Sequence, residues 1–249
     1  MRRLAIGLLI TAVTLGVFAV PAGAGTSDEG DGDGGADAVA DAELGRVDVL
    51  LVSGLFDRIV VDAIEDAIED AAEADAQALI IQVNTRGAVV GDERMEELLA
   101  TVASSPVPIA IWVGPSRARL YGTPAQLLAV ADVTGMAPGA RVGHTGELLT
   151  PPGVDVEFGD VETLLRTGSV GLADARDLGV LRQRVPDEGI PTLSNMVNAL
   201  DGYTEDGRTL RTTEDEVLDD GTVRRTTIAP VRQSSLPFVD RLFHTVASP

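Results

Sequence analysis

The chain has 249 residues and a formal net charge of -20, because 39 aspartates and glutamates stand against 19 basic residues. Every basic residue is arginine, and lysine and cysteine are both absent, which excludes disulfides, thiolate zinc sites, cysteine nucleophiles and lysine-dependent chemistry. His144 and His244 are the only histidines, so we expect no metal site and no cofactor. The acidity argues against nucleic acid as a partner.

Residues 1–24 have the pattern of a secretory signal peptide. Arginines stand at positions 2 and 3, a largely apolar run covers 4–20, and small residues at 22–24 fit a cleavage site. We therefore expect export across the membrane. The alternative is that the apolar run is kept as an N-terminal anchor.

Residues 25–45 are rich in aspartate, glutamate, glycine and alanine, and they show no periodic apolar pattern. Like charges repel one another, and such a composition cannot bury enough apolar surface to fold. This segment is therefore predicted to be an acidic disordered linker.

Residues 46–187 alternate between apolar runs of strand length and segments whose apolar residues recur every three or four positions. This alternation predicts an α/β domain of βαβ units with right-handed crossovers and a mainly parallel sheet. The predicted strands are 47–52, 78–83, 109–113, 133–137 and 180–185, and the predicted helices are 60–72, 92–103, 125–131, 172–178 and 190–200.

Residues 188–249 are predicted to form a C-terminal extension. Polar strand-like residues from 208 to 231 surround the turn signal Asp219-Asp-Gly221, which predicts a small β-hairpin. The segment 236–247 has apolar residues at the spacing of an amphipathic helix, which either packs on the core or lies at a membrane surface.

Several short stretches also occur in an order that is typical of one known family. They are Ala78–Gly87 (ending Asn84-Thr-Arg-Gly87), Ser105–Ile109, Val113–Arg119, Met136–Gly143 (Met-Ala-Pro-Gly-Ala-Arg-Val-Gly) and Ala173–Val180. Through them the chain from Val47 to Val185 resembles the extracytoplasmic domain of the NfeD family, the bacterial membrane-bound ClpP-class serine proteases. The resemblance implies a ClpP/crotonase-like spiral of ββα units and a place outside the cytoplasm at the cell membrane.

The residues that carry out catalysis in that family do not carry over to this chain. The family's serine lies seven residues after a proline that corresponds to Pro115, and this position is Gly122. The family's general base is a lysine, and the chain has none. Arginine cannot replace it as a base because its guanidinium stays protonated. We therefore expect no catalytic residues, and a pseudo-protease instead of an ATP-independent serine peptidase.

An alternative peptidase site would use Thr123 or Ser116 as nucleophile and His144 as base. His144 lies near the position of the histidine in soluble ClpP peptidases, but one residue away, which on a strand reverses the side-chain direction. Thr123 before Pro124 is also typical of a helix N-cap, and Ser116 of a turn hydroxyl.

The loss of a nucleophile leaves the predicted cleft in place. The resemblance puts a peptide and oxyanion cleft at Gly87, Ala88, Gly122 and Thr123, where backbone groups could pair with an extended peptide. Our first hypothesis is a peptide-binding or assembly module; the alternatives are the rearranged peptidase and a purely structural ectodomain. The resemblance further implies homo-oligomers, a stomatin-like membrane partner, and membrane contact through the C-terminal end or a segment beyond Pro249.

Overall fold

The computed structural model describes residues 45–182, 186–205 and 207–235. In chain order the strands are β1 (Val47–Ser53), β2 (Ala78–Asn84), β3 (Ile109–Val113), β4 (Arg119–Tyr121), β5 (Val133–Met136), β6 (Arg141–Gly143), β7 (Ser169–Gly171), β8 (Thr204–Glu205), β9 (Arg208–Thr209), β10 (Thr213–Val217), β11 (Val223–Thr227) and β12 (Val231–Ser235). The α-helices are α1 (Arg58–Glu73), α2 (Asp92–Ala103), α3 (Leu127–Val130), α4 (Glu162–Thr167), α5 (Leu172–Asp177) and α6 (Leu193–Ala199), and short 3-10 helices cover Thr123–Gln126 and Gly159–Val161.

The main sheet contains five parallel strands in the order β12-β1-β2-β3-β5. Its central strands are buried along almost their whole length, as expected when both faces of a parallel sheet are covered. Strand β1 is in register with β2 from Val47↔Ala78 to Ser53↔Asn84, so the carboxyl ends of both strands reach the same edge of the sheet. The predicted α/β class with a parallel sheet is therefore confirmed.

The helices between the central strands present apolar stripes to the sheet. On α1 the buried residues include Val60, Ile64 and Ile68, as predicted, whereas Ala71 is buried in place of Ala72. The four apolar residues predicted to face inward on α2 are all buried, namely Met95, Leu98, Leu99 and Val102. Each such side chain removed from water contributes about 1.5–3 kcal/mol, so this stripe fixes the helix on the core.

The start of α1 is fixed by the side chain of Asp57, which accepts a hydrogen bond from the Val60 N–H at 2.9 Å. A carboxylate at this position satisfies a backbone donor that has no partner within the helix. Arg94 on α2 then bridges to α1, where its guanidinium pairs with Glu65 and, at 2.9 Å, with Asp62. Helices α1 and α2 are thus joined by charge as well as by packing.

A second, smaller sheet has the order β4-β6-β7, with β4 and β6 parallel and β6 and β7 antiparallel. It meets the main sheet at a single parallel bridge between Thr85, which follows β2, and Leu120 in β4. The backbone around that bridge is held by hydrogen bonds from Thr85 N–H to the Arg119 carbonyl and from Tyr121 N–H to the Thr85 carbonyl. This junction positions the candidate site.

The strand predicted at 180–185 is wrong for its described part, because Val180 to Arg182 form no strand. Val180 and Leu181 are buried, but the Arg182 N–H donates to the Thr134 hydroxyl at 2.7 Å, so the segment packs on β5 as a bend. Residues 183–185 lie outside the described residues.

The predicted hairpin is confirmed as β10 and β11, which pair antiparallel around the turn that contains Gly221. The chain then returns to the main sheet, where β12 pairs parallel to β1 at the edge. The Trp112 indole N–H donates to the Ile190 carbonyl at 3.0 Å, so this part of the extension contacts the core directly. The predicted amphipathic helix at 236–247 lies outside the described residues, and the boundaries at 24, 45 and 187 stay predictions.

Candidate active site

The loop after β2 is the first part of the candidate site, and its own hydrogen bonds hold it in place. The buried Thr85 hydroxyl donates to the Gly87 carbonyl at 2.9 Å and accepts from the Gly87 N–H at 3.2 Å. The Phe56 N–H donates to the same carbonyl at 3.0 Å, and the Val89 N–H donates to the Phe56 carbonyl at 2.8 Å. The N–H of Gly87, one of the predicted oxyanion donors, is therefore already paired.

Ala88 differs from its neighbours in this loop. It forms a parallel bridge with Phe56, but that bridge uses only the Gly87 carbonyl and the Val89 N–H. Among the described residues, neither the N–H nor the carbonyl of Ala88 has a hydrogen-bond partner. In an extended segment these two groups point away from the bridged strand, so Ala88 presents a free backbone edge.

Gly122, at the predicted position of the nucleophile, lies directly beside this loop. Its φ of 76° and ψ of -163° belong to a region that essentially only glycine adopts. A Cβ atom added there would lie 2.9 Å from the Gly87 Cα and 3.7 Å from the Ala88 nitrogen. The space that a nucleophilic side chain would occupy is therefore filled by the backbone of the neighbouring loop.

The backbone of Gly122 is also fixed from two other sides. Its N–H donates to the Gly143 carbonyl at 3.2 Å, and its carbonyl accepts from the Ala125 N–H at 2.9 Å. Gly122 thus joins the end of β4 to the end of β6 and directly precedes the 3-10 helix. Thr123, which the sequence suggested as an N-cap, is instead the first residue of that helix, and Gly122 takes the cap position.

His144 follows β6 and is exposed, with a left-handed backbone at φ 53°. Its backbone N–H donates to the Gly168 carbonyl at 2.7 Å, and its ring lies edge-on to Tyr121 with a centroid distance of 4.9 Å. Within the described residues its imidazole makes no hydrogen bond to either hydroxyl of the alternative site, that of half-buried Thr123 or that of exposed Ser116. The structure does not bring these three side chains together as a hydrogen-bonded unit.

A basic pocket that the sequence did not predict lies at the carboxyl end of the main sheet. It has a volume of about 360 Å³ and is lined by Gly54, Leu55, Asn84, Arg86, Arg117 and Arg119. The pocket could have been predicted from the position of its residues at the ends of strands. Asn84 ends β2, Arg86 follows it, and the other two arginines come after β3. The signal was weak because each segment carries only one or two of the cations.

Two further features are absent from the described part of the chain. No group of three or more histidine, aspartate or glutamate side chains there could hold a metal ion. No helix in this part is both long enough and apolar enough to cross a membrane.

A parallel core sheet, a small second sheet joined to it by one bridge, and a loop-lined junction between them define the ClpP-type α/β class. Among solved structures, the chain is similar to the 1510-N membrane protease specific for a stomatin homolog from Pyrococcus horikoshii, with a TM-score of 0.58 and 19% identity over 82% of this chain and 99% of that one.

A mutant of the 1510-N membrane-bound stomatin-specific protease, solved in complex with a substrate peptide, has a TM-score of 0.57 and 19% identity, and the match covers 82% of this chain and 98% of that one. A second mutant of the same protease has a TM-score of 0.58 and 19% identity, and the match covers 77% of this chain and 98% of that one. No protein-family model and no curated protein matches the sequence. The likeness shows a shared fold, so the predicted resemblance to the NfeD group is confirmed at the level of the fold. The site residues stay predictions.

Proposed function

We propose that the protein is an exported pseudo-protease that binds extended peptide segments at the outer face of the membrane and does not cleave them. One observation carries the proposal. Where the resembled family has its serine, Gly122 packs against Gly87, and the free backbone edge of Ala88 lies beside it.

Peptide binding is supported by the geometry of that edge. The N–H and carbonyl of Ala88 can pair with the carbonyl and N–H of one residue of an extended peptide, which adds a short strand to the Phe56–Ala88 bridge. The half-buried Ala88 and the exposed Val89 provide apolar surface on the same segment. Such pairing requires no catalytic group.

The absence of hydrolysis is supported by three features. Gly122 offers no nucleophile, the chain has no lysine, and the Gly87 N–H is bonded to Thr85 and not directed at a substrate. Acyl transfer needs a nucleophile with a base in hydrogen-bond reach and donors aimed at the developing oxyanion. Within the residues that the structure describes, the hydroxyls of Thr123 and Ser116 have no hydrogen bond to such a base.

The proposal extends to partners and organisation by similarity. The structural neighbours are described as membrane-bound and as specific for a stomatin homolog, which supports a stomatin-like protein as the source of the bound peptide. We also propose a signal peptide at 1–24, a linker at 25–45, the ClpP-like domain at 46–187 and an extension at 188–249, in a protein that forms homo-oligomers.

Hydrolysis is tested with the purified protein, a panel of apolar peptides and a fluorophosphonate probe. We expect neither cleavage nor labelling. Labelling that disappears in Thr123→Ala or Ser116→Ala would overturn the pseudo-protease assignment and support the rearranged peptidase.

Binding is tested by fluorescence anisotropy with overlapping peptides from a stomatin-like protein of the same organism. The best binder is then resynthesised with one backbone N-methyl group at each position in turn. We expect one position at which N-methylation weakens binding by about 1–2 kcal/mol, because the Ala88 carbonyl loses its donor. No saturable binding by any peptide would refute the proposal and favour the structural ectodomain.

A further inference from the structure

The pocket lined by Arg86, Arg117 and Arg119 brings three unpaired cations together around one cavity. Eight of the fifteen arginines among the described residues form ion pairs, as Arg225 does with Asp215 at 2.7 Å. Within the described residues the three pocket arginines form no ion pair, and no acidic residue lines the pocket. In a protein with a net charge of -20, three unpaired guanidinium groups around one cavity make a local positive site.

The remaining polar group in the pocket is also a donor. The Asn84 side-chain oxygen accepts a hydrogen bond from the Arg119 N–H at 3.0 Å, which directs the amide oxygen to the backbone. The Asn84 NH₂ group has no partner among the described residues, so it remains free to donate. Three guanidinium groups and one amide therefore offer hydrogen-bond donors and no side-chain acceptor, which is the requirement for an anion and not for a cation.

Two of these arginines are held in place, Arg117 through its backbone and Arg119 through its side chain. Arg117 has a left-handed backbone at φ 67°, which costs a non-glycine residue about 1–2 kcal/mol, and its N–H donates to the Pro138 carbonyl at 3.1 Å. The guanidinium of Arg119 lies 5.7 Å above the ring of Tyr121, within range of a cation–π contact. Arg117 thus has a strained backbone conformation, and strained residues cluster at functional sites such as ligand-binding pockets.

The position of the pocket indicates what kind of anion it binds. Arg86 lies two residues before Ala88, and one residue of an extended peptide spans about 3.3 Å. A peptide paired with Ala88 would bring a carboxylate one or two residues away to the pocket, and the apolar side chain of half-exposed Leu55 forms part of its wall. A planar carboxylate also fits the two-pronged geometry of guanidinium.

From this geometry we infer that the pocket is a carboxylate subsite of the peptide cleft, which binds either the C-terminal carboxylate or an aspartate or glutamate side chain of the peptide. The inference rests on the proposed function, since it takes Ala88 as the pairing edge. The acid nearest in sequence, Asp57, does not compete for the arginines because its carboxylate caps α1.

The test compares the best-binding peptide of the anisotropy screen with two neutral forms, a C-terminal amide and a form with Asn or Gln for each acidic residue. We expect one of the two neutral forms to bind about 10- to 100-fold more weakly, as expected for a lost charge-assisted hydrogen bond. Which form loses affinity identifies the source of the carboxylate. In Arg86→Gln the difference in affinity between charged and neutral peptides should shrink, and it should vanish when Arg117 and Arg119 are also changed to Gln.

Arg224→Gln is the matched control, because Arg224 is exposed on β11, outside the pocket, and loses the same charge. It should keep the full discrimination. Unchanged thermal midpoints in both variants show that they fold. If charged and neutral peptides bind wild-type protein equally, the subsite is refuted while peptide binding stands. If no peptide binds at all, the proposed function fails and the subsite fails with it.

Discussion

Gly122 offers the sharpest test of the reasoning about the candidate site, through the single change Gly122→Ala. The substitution adds one methyl group at a backbone conformation that costs a non-glycine residue about 1–3 kcal/mol. The methyl carbon would also lie 2.9 Å from the Gly87 Cα, and a forced contact of this kind costs about another 1–3 kcal/mol. The reduced entropy of the unfolded chain offsets about 0.4–1 kcal/mol. We expect a net loss of about 2–5 kcal/mol in the free energy of unfolding.

Two control variants separate these contributions in urea denaturation at neutral pH. Gly146→Ala has a left-handed φ of 69° but no atom within 4 Å of the new methyl, so it carries the cost of a positive φ without the contact. Gly91→Ala has neither, but Gly91 is the N-cap of α2, where alanine is less favourable, so this variant should cost about 0.5–1 kcal/mol. The contact of Gly122 with Gly87 is refuted if Gly122→Ala is no more destabilising than Gly146→Ala.

Three further predictions concern charged groups. Arg94→Gln should lower the free energy of unfolding by about 1–2 kcal/mol, because it removes the ionic link between α1 and α2. This loss should be smaller in 1 M salt, which screens the pair. The control Arg58→Gln, which removes an exposed ion pair, should lower the free energy of unfolding by less than about 0.5 kcal/mol. For Asp201, burial raises the pKa, but the Thr212 and Thr213 N–H groups outweigh it and hold the pKa below its usual value. The contribution of Asp201 to stability is therefore present above about pH 4 and is lost as the pH falls through the pKa of the folded state. Asp201→Ala should lower the free energy of unfolding by about 1 kcal/mol at pH 7, and by less at pH 3. Burial raises the pKa of Asp132, so stability should fall as the pH rises from about 4 through the folded pKa, and Asp132→Asn should remove this slope; an unchanged slope would contradict the assignment.

The parts of the fold that could be predicted are those in which local sequence and burial agree. Helix α2 has the predicted bounds because acidic residues occupy its first turn and its apolar stripe is fully buried. The three-residue strands β4, β6 and β7 escaped prediction, because three residues are too few to show a measurable periodicity. Val180 and Leu181 misled the prediction in the opposite direction, since an apolar pair is buried equally well in a bend.

The candidate site divides in the same way. The missing serine and lysine could be read from the chain, because they are single positions in a recognisable motif. The contact between Gly122 and Gly87 could not, since these glycines are far apart in the sequence and meet only through the bridge between Thr85 and Leu120. The arginine pocket required the same junction, because it combines residues at the ends of β1 and β2 with Arg117 and with Arg119, which begins β4.

Restoring the serine alone should not restore a protease, and this prediction separates a lost nucleophile from a lost site. In Gly122→Ser the hydroxyl would have no lysine to accept its proton, and the imidazole of His144 lies edge-on to Tyr121. A serine without a base is a weak nucleophile, and the added Cβ must first displace the Gly87 backbone. We expect no fluorophosphonate labelling of the folded variant and weaker peptide binding, because the displaced loop carries Ala88. Rapid labelling of Gly122→Ser at wild-type stability would mean that a base and an open site persist, and that the Gly87 backbone does not fill the space beside residue 122.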